Sequence, residues 1–124
     1  MERPKRYRPN KVQGARRFDM AKSRNDLYKT KEWNIFRFRF LHHNPKCYVC
    51  PMDSEHVDHM VPTRSDRDGF FKKGNHVPLC HSCHSTVTQL FDLFDPPRTN
   101  DKILWMQGQR KIHGIVRAIR VIEV

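Results

Sequence analysis

Four cysteines stand in two close pairs, Cys47-x-x-Cys50 and Cys80-x-x-Cys83, with 29 residues between the pairs. A two-residue spacer lets a tight turn present both sulfurs to one ion, and two such turns complete a tetrahedron of thiolates around zinc. Such an ion ties distant segments together. Its binding energy becomes folding energy, about 10 kcal/mol or more in small zinc peptides at neutral pH. Three other readings compete. Four cysteines can form disulfides in three pairings, but an intracellular chain keeps its thiols reduced. A redox Cys-x-x-Cys uses one pair and leaves the other idle. Cys80-His81-Ser82-Cys83-His84 also fits a haem-attachment pattern, which expects export and gives the upstream pair no role. The paired spacing favours an all-cysteine structural Zn2+ site at Cys47, Cys50, Cys80 and Cys83.

Asp58, His59, Asn75 and His84 lie between and beside these pairs. Each alone is a weak signal, because the chain has 8 histidines and an isolated one is usually structural or solvated. Their order relative to the cysteines is specific. Cys47–Cys50 is followed by Asp58-His59-Met60-Val61-Pro62, then Asn75, then Leu79-Cys80-His81-Ser82-Cys83-His84. In this the sequence resembles the HNH endonucleases, especially the small phage-type ones, over about residues 33–91. The resemblance implies a ββα-metal finger and hydrolysis of DNA phosphodiester bonds, leaving 5′-phosphate and 3′-hydroxyl ends. It implies that Asp58 and His84 hold a catalytic ion, Mg2+ or another divalent cation. It makes His59 the general base that activates water, with Asn75 bracing the loop between the strands and orienting His59. Role and residue type agree: a carboxylate and a neutral imidazole suit such a cation, and an imidazole accepts protons near neutral pH.

The chain departs from the family in two places. Ser85-Thr86-Val87-Thr88 offers no lysine after the final histidine, and His76 follows Asn75 where an aromatic residue is common. Both bear on substrate contacts. His56, His76 and His81 are spare imidazoles, read as solvated or supporting.

These residues need elements to position them. Leu27, Trp33, Phe36, Phe40 and Leu41 recur at helical spacing, predicting a helix over 26–43 with Asp26 as N-cap and Asn44-Pro45 as stop. Residues 56–61 read as a short strand ended by Pro62, 63–74 as a loop anchored by Phe70 and Phe71, and 76–79 as a second strand. Ser82 to Phe94 reads as a helix ended by Pro96-Pro97. On that helix, neighbours differ by about 100°, so Cys83 can face zinc while His84 faces a second metal. On the first strand, Asp58 and His59 should point to opposite faces, and they can share a site only if the strand bends or ends there. Over 101–124 the stripe Ile112, Ile115, Val116, Ile119, Ile122 fits a helix while its β-branched content fits a strand; periodicity leaves both open. Arg110, Lys111, Arg117 and Arg120 read as a solvated face.

The fold expected is therefore α+β: a small metal finger on a four-cysteine zinc, with flanking helices and a basic N-terminal arm. The domains are an arm at 1–26, a nuclease domain at 27–95 and a C-terminal extension at 96–124. At 124 residues the chain is one domain's worth with a modest core. Its 24 Lys and Arg against 13 Asp and Glu give +11, which favours a polyanionic partner such as DNA. Residues 1–32 carry 11 of the basic residues and 4 of the acidic ones. Arg64, Lys72 and Lys73 are assigned to phosphate contacts. No stretch reaches the roughly 20 apolar residues of a membrane span, and no apolar segment follows the basic start as in a secretory signal. An intracellular protein is expected. By resemblance, terminase or another phage protein is a further partner. The alternatives are a non-catalytic zinc module that binds nucleic acid, or a docking subunit of a larger machine; neither needs Asp58, His59, Asn75 and His84 together.

Overall fold

The computed structural model describes residues 16, 17 and 26–123 other than 64 and 65. The arm expected at 1–26 lies almost wholly outside the described residues, as does Arg64. In chain order the elements begin with strand β1 (Arg16–Arg17), a 3-10 turn (Asp26–Lys29), helix α1 (Lys31–His43) and strand β2 (His56–His59). They continue with a single helical turn α2 (Arg67–Phe70), strand β3 (His76–Leu79) and helix α3 (His81–Val87), which runs into a π-helical turn (Thr88–Asp92). Strand β4 (Phe94–Asp95) and helix α4 (Thr99–Ile112) complete the order. This is a small α+β fold with two antiparallel pairs, β2 with β3 and β1 with β4. Among the described residues no helix is long and apolar enough to cross a membrane.

Helix α1 buries Trp33, Phe36 and Phe40, one side of a 3.6-residue period, and leaves Phe38 74% exposed. Its N-cap is Thr30 rather than Asp26. The Thr30 hydroxyl accepts from the Trp33 N–H at 3.2 Å, while Asp26 begins the preceding 3-10 turn.

The β2–β3 hairpin divides the interior. Its register pairs His56 with Leu79, Val57 with Pro78, Asp58 with Val77 and His59 with His76. Paired residues share a face, and successive residues alternate. One face puts Val77 and Leu79 against Cys47, Val49, Val87, Phe91 and Met106. The other puts Val57 against Trp33, Phe36, Phe40 and Phe70. The hairpin loop contains α2, where a plain loop was expected; Phe70, on that turn, is fully buried and anchors it.

The helix expected over Ser82–Phe94 is shorter. After Val87 it widens into the π turn, closed by Leu93 N–H donating to Thr88 O at 3.1 Å. The extra residue in that turn rotates the end of the helix about its axis, and Asp92 comes to lie beneath α4. The C-terminal stripe divides: α4 ends at Ile112, and residues 115–123 follow without regular secondary structure. Gly114, at φ +65°, stops α4, and Ile115 N–H returns to Arg110 O at 2.8 Å. The tail runs back so that Ile119 packs on both core clusters.

The basic residues of this segment are not simply a solvated face. Arg110 donates to Tyr48 O at 2.9 Å and lies 4.0 Å over the Tyr48 ring. Arg117 donates to Cys47 O and, at 2.7 Å, to Cys50 O. A planar guanidinium with five donors fits clustered carbonyls, so these side chains clamp the first cysteine turn.

Candidate functional site

The two cysteine pairs, whose first members Cys47 and Cys80 are 33 residues apart, are brought together by the hairpin. Their sulfurs all lie within 4.8 Å of one another, and Cys50 Sγ is 3.6 Å from Cys80 Sγ. Sulfurs on a tetrahedron with Zn–S of about 2.3 Å stand about 3.8 Å apart, so the cluster fits zinc. None is in a disulfide. The thiols' acidities split because the sulfurs crowd one another. A hydrogen bond from Cys83 holds Cys47 down to about 4, burial pushes Cys50 up to about 11, and contact with Cys47 raises Cys83.

Beside this cluster lies a second polar set. Asp58, on the α3-facing side of β2, is 6% exposed. Its Oδ1 is 3.3 Å from His84 Nδ1, and His84 Nδ1 is buried with no hydrogen-bond partner. His84 is one residue past Cys83 on α3, so the helix carries one ligand to each cluster as its 100° step allows.

Lys102 of α4, fully buried, belongs to no motif of the sequence and was not anticipated. Its Nζ is 2.9 Å from Asp58 Oδ2, off the direction of a hydrogen bond. It donates to Asp92 Oδ1 at 3.0 Å, to His59 O at 2.7 Å and to Met60 O at 3.1 Å. A buried ammonium is tolerated only when its protons are so occupied. The only signal in the sequence is phase: Lys102 sits one turn before the buried Met106 on the inward stripe of α4. Burial alone would raise the Asp58 carboxyl, but His84 and Lys102 outweigh it and hold it low. Asp92 shares the same ammonium with a charged neighbour. Burial and the Asp58 charge push it up to about 7.

His59 faces the other way, as strand alternation requires, and it is the last residue of β2. Its ring stacks 5.5 Å from Trp33 and sits 4.6 Å from Phe70. Nε2 is 2.9 Å from Phe70 O. A carbonyl only accepts, so Nε2 carries the proton and Nδ1 keeps the lone pair. Burial lowers the His59 pKa from 6.5 to about 4. Nδ1 faces the Tyr28 hydroxyl at 3.5 Å. Tyr28, also unforeseen, exposes 47% of its surface, yet its hydroxyl feels the interior: burial, Asp58 and Asp92 raise its pKa to about 12.

Asn75 closes the neck of the hairpin loop. Its Oδ1 accepts from Val61 N–H at 2.9 Å and its Nδ2 donates to Val61 O at 3.0 Å. The His59 ring is fixed by the hydrogen bond that its Nε2 donates to Phe70 O, and His76 Nε2 shares that oxygen at 2.9 Å. The His76 ring packs 4.5 Å from Phe36. Lys72 is exposed, and exposed Lys73 pairs with Glu123 at 2.5 Å. No family model, no curated protein and no solved structure matches the chain.

Proposed function

We propose that this chain is a metal-dependent HNH-type endonuclease that hydrolyses DNA phosphodiester bonds, with β2, β3 and α3 as its ββα-metal finger. The observation that carries the reading is the Asp58–His84 pair, in which one oxygen of a buried side chain stands 3.3 Å from a buried imidazole nitrogen that has no hydrogen-bond partner. Two ligands of one octahedral cation, each about 2.1 Å from it, stand about 3 Å apart, so this spacing suits a shared ion. A divalent ion there supplies charge neutralisation at the scissile phosphate and stabilisation of the leaving 3′ oxygen.

The chain's own residues do the rest. Lys102 holds Asp58 by Oδ2, which leaves Oδ1 turned to His84. A zinc ion held by Cys47, Cys50, Cys80 and Cys83 would fix the start of α3 and with it His84. Phe70 O fixes the His59 tautomer, so Nδ1 is the atom that takes the proton from attacking water. Water reaches Nδ1 where the Tyr28 hydroxyl now lies. Asn75 keeps the loop neck closed, and with it the end of β2 that carries His59. The net charge of +11 supports a polyanionic substrate, with Lys72 and Lys73 exposed on the hairpin loop as phosphate contacts. An intracellular setting and a phage terminase as partner extend this reading by resemblance.

One observation favours the second reading, a zinc module that binds nucleic acid without cutting. His59 is only 4% exposed and its lone pair is covered by Tyr28. Relaxation of supercoiled plasmid in Mg2+ or Mn2+, with wild type beside His59→Ala and His84→Ala, separates the two. The nuclease reading expects cutting by wild type alone. DNA retention on a gel without cutting in any divalent metal gives the protein to the second reading.

A further inference from the structure

A third group of ligand-type side chains lies on the surface next to both clusters. Glu55 N–H donates to Leu79 O at 2.9 Å and His56 pairs with Leu79 in the hairpin, so the chain leaving β3 runs beside the chain entering β2. His81, the first residue of α3, therefore comes to His56. His56 Nε2 and His81 Nδ1 are 3.1 Å apart, and a carboxylate oxygen of Glu55 lies within 4.8 Å of both nitrogens. Glu55 and His81 are exposed and His56 is half-buried, so a cation has access from solvent.

We propose that Glu55, His56 and His81 form a separate, exchangeable site for a borderline divalent transition ion such as nickel, cobalt or zinc. Two imidazoles and one carboxylate are the donor set that such ions prefer over magnesium or calcium, which favour oxygen ligands. Nitrogens about 2.1 Å from a common ion stand about 3.0–3.4 Å apart for angles between octahedral and tetrahedral, which brackets the observed pair. His81 lies between Cys80 and Cys83, and backbone pairing with Leu79 holds Glu55 and His56 beside it, so the donors are already gathered before an ion arrives. The His56 ring stacks on His84 at 4.5 Å and 16°. An ion fixing His56 therefore acts on the packing of His84 without sharing a ligand with the Asp58–His84 pair.

This site is independent of the nuclease reading, and its test uses neither DNA nor cleavage. The full chain is loaded with one zinc and dialysed against Ni2+, with nickel and zinc per chain counted by elemental analysis. His56→Gln and His81→Gln are each expected to bind one nickel fewer than wild type at an unchanged zinc count. Glu55→Gln should weaken that nickel by about tenfold or more. Asp58→Asn should leave it in place, and His42→Gln, at an exposed histidine pair elsewhere, should change nothing. Circular dichroism and the retained zinc establish that each variant is folded. Equal nickel counts and affinities in wild type, His56→Gln and His81→Gln would overturn the proposal and leave a simple imidazole–imidazole hydrogen bond.

Discussion

The cysteine cluster and the Asp58–His84–Lys102 cluster are neighbours built on opposite principles. The cysteine cluster takes all four side chains from two local turns, and each turn is encoded by a two-residue spacer. The acidic cluster draws on β2, α3, the π turn and α4, and its central ammonium comes from a helix outside the recognisable motif. Soft sulfurs converging on one point make a site that an ion completes and that the fold then depends on. The acidic cluster already holds a cation of its own in Lys102, so its stability should not depend on a metal even where its chemistry does.

That contrast can be broken most sharply by removing zinc. A strong chelator at neutral pH, or Cys80→Ala, should remove about 10 kcal/mol of folding energy and abolish the far-ultraviolet circular dichroism of the native chain. Withholding magnesium should leave that spectrum as it was. A chain that stays folded without zinc would put the cysteines on a level with the acidic cluster.

The next largest effect concerns chemistry alone. His59→Ala should lower plasmid cleavage by about 10²- to 10⁴-fold, the usual worth of a positioned base. Its zinc count should be unchanged, because His59 faces the aromatic cluster and not the sulfurs.

Lys102→Met tests whether the resident ammonium stabilises the acidic cluster. It leaves Asp58 and Asp92 buried without their common partner and should cost about 3–5 kcal/mol in urea unfolding. Lys102→Met combined with Asp92→Leu should recover part of that loss, since a buried apolar pair needs no compensation.

Asp92 gives the comparison a pH axis. Its folded pKa of about 7 lies above its ordinary value of 3.8, so the folded state holds the proton more tightly than the unfolded one. Its stabilising contribution is full below about pH 4 and is lost as pH rises toward and through 7. Asp92→Asn should therefore flatten the fall in stability between those values, read as midpoint against pH.

The smallest effect belongs to Tyr28. A hydroxyl 3.5 Å from His59 Nδ1 makes at best a weak hydrogen bond, so Tyr28→Phe should change stability by less than about 1 kcal/mol. Tyr28→Ala, which uncovers Nδ1, should alter cleavage more than Tyr28→Phe does.

Much of this α+β fold was legible because its signals are local. The hairpin strands, the turn of Cys80–Cys83 at the head of a helix and the buried stripe Trp33, Phe36, Phe40 each follow from spacing within a few residues. The start of α1 was misread because two cap-type residues, Asp26 and Thr30, stand four apart, and only the fold chooses which hydroxyl or carboxylate meets the free N–H groups. The π turn after Val87 escaped for a related reason. A one-residue widening leaves Val87, Phe91 and Phe94 all buried, so the apolar pattern looks like an uninterrupted helix.

The sequence by itself determined the two cysteine turns, the hairpin strands and the face of β2 that carries Asp58, because short spacers and strand alternation set those directions within a few bonds. Tertiary structure alone decided that Lys102 is buried under Asp58 and Asp92, that Arg110 and Arg117 clamp the first cysteine turn, and that Tyr28 covers His59. Those contacts join segments 10 to 70 residues apart. Whether a charged side chain ends in solvent or against a carbonyl depends on which remote groups packing brings within its reach.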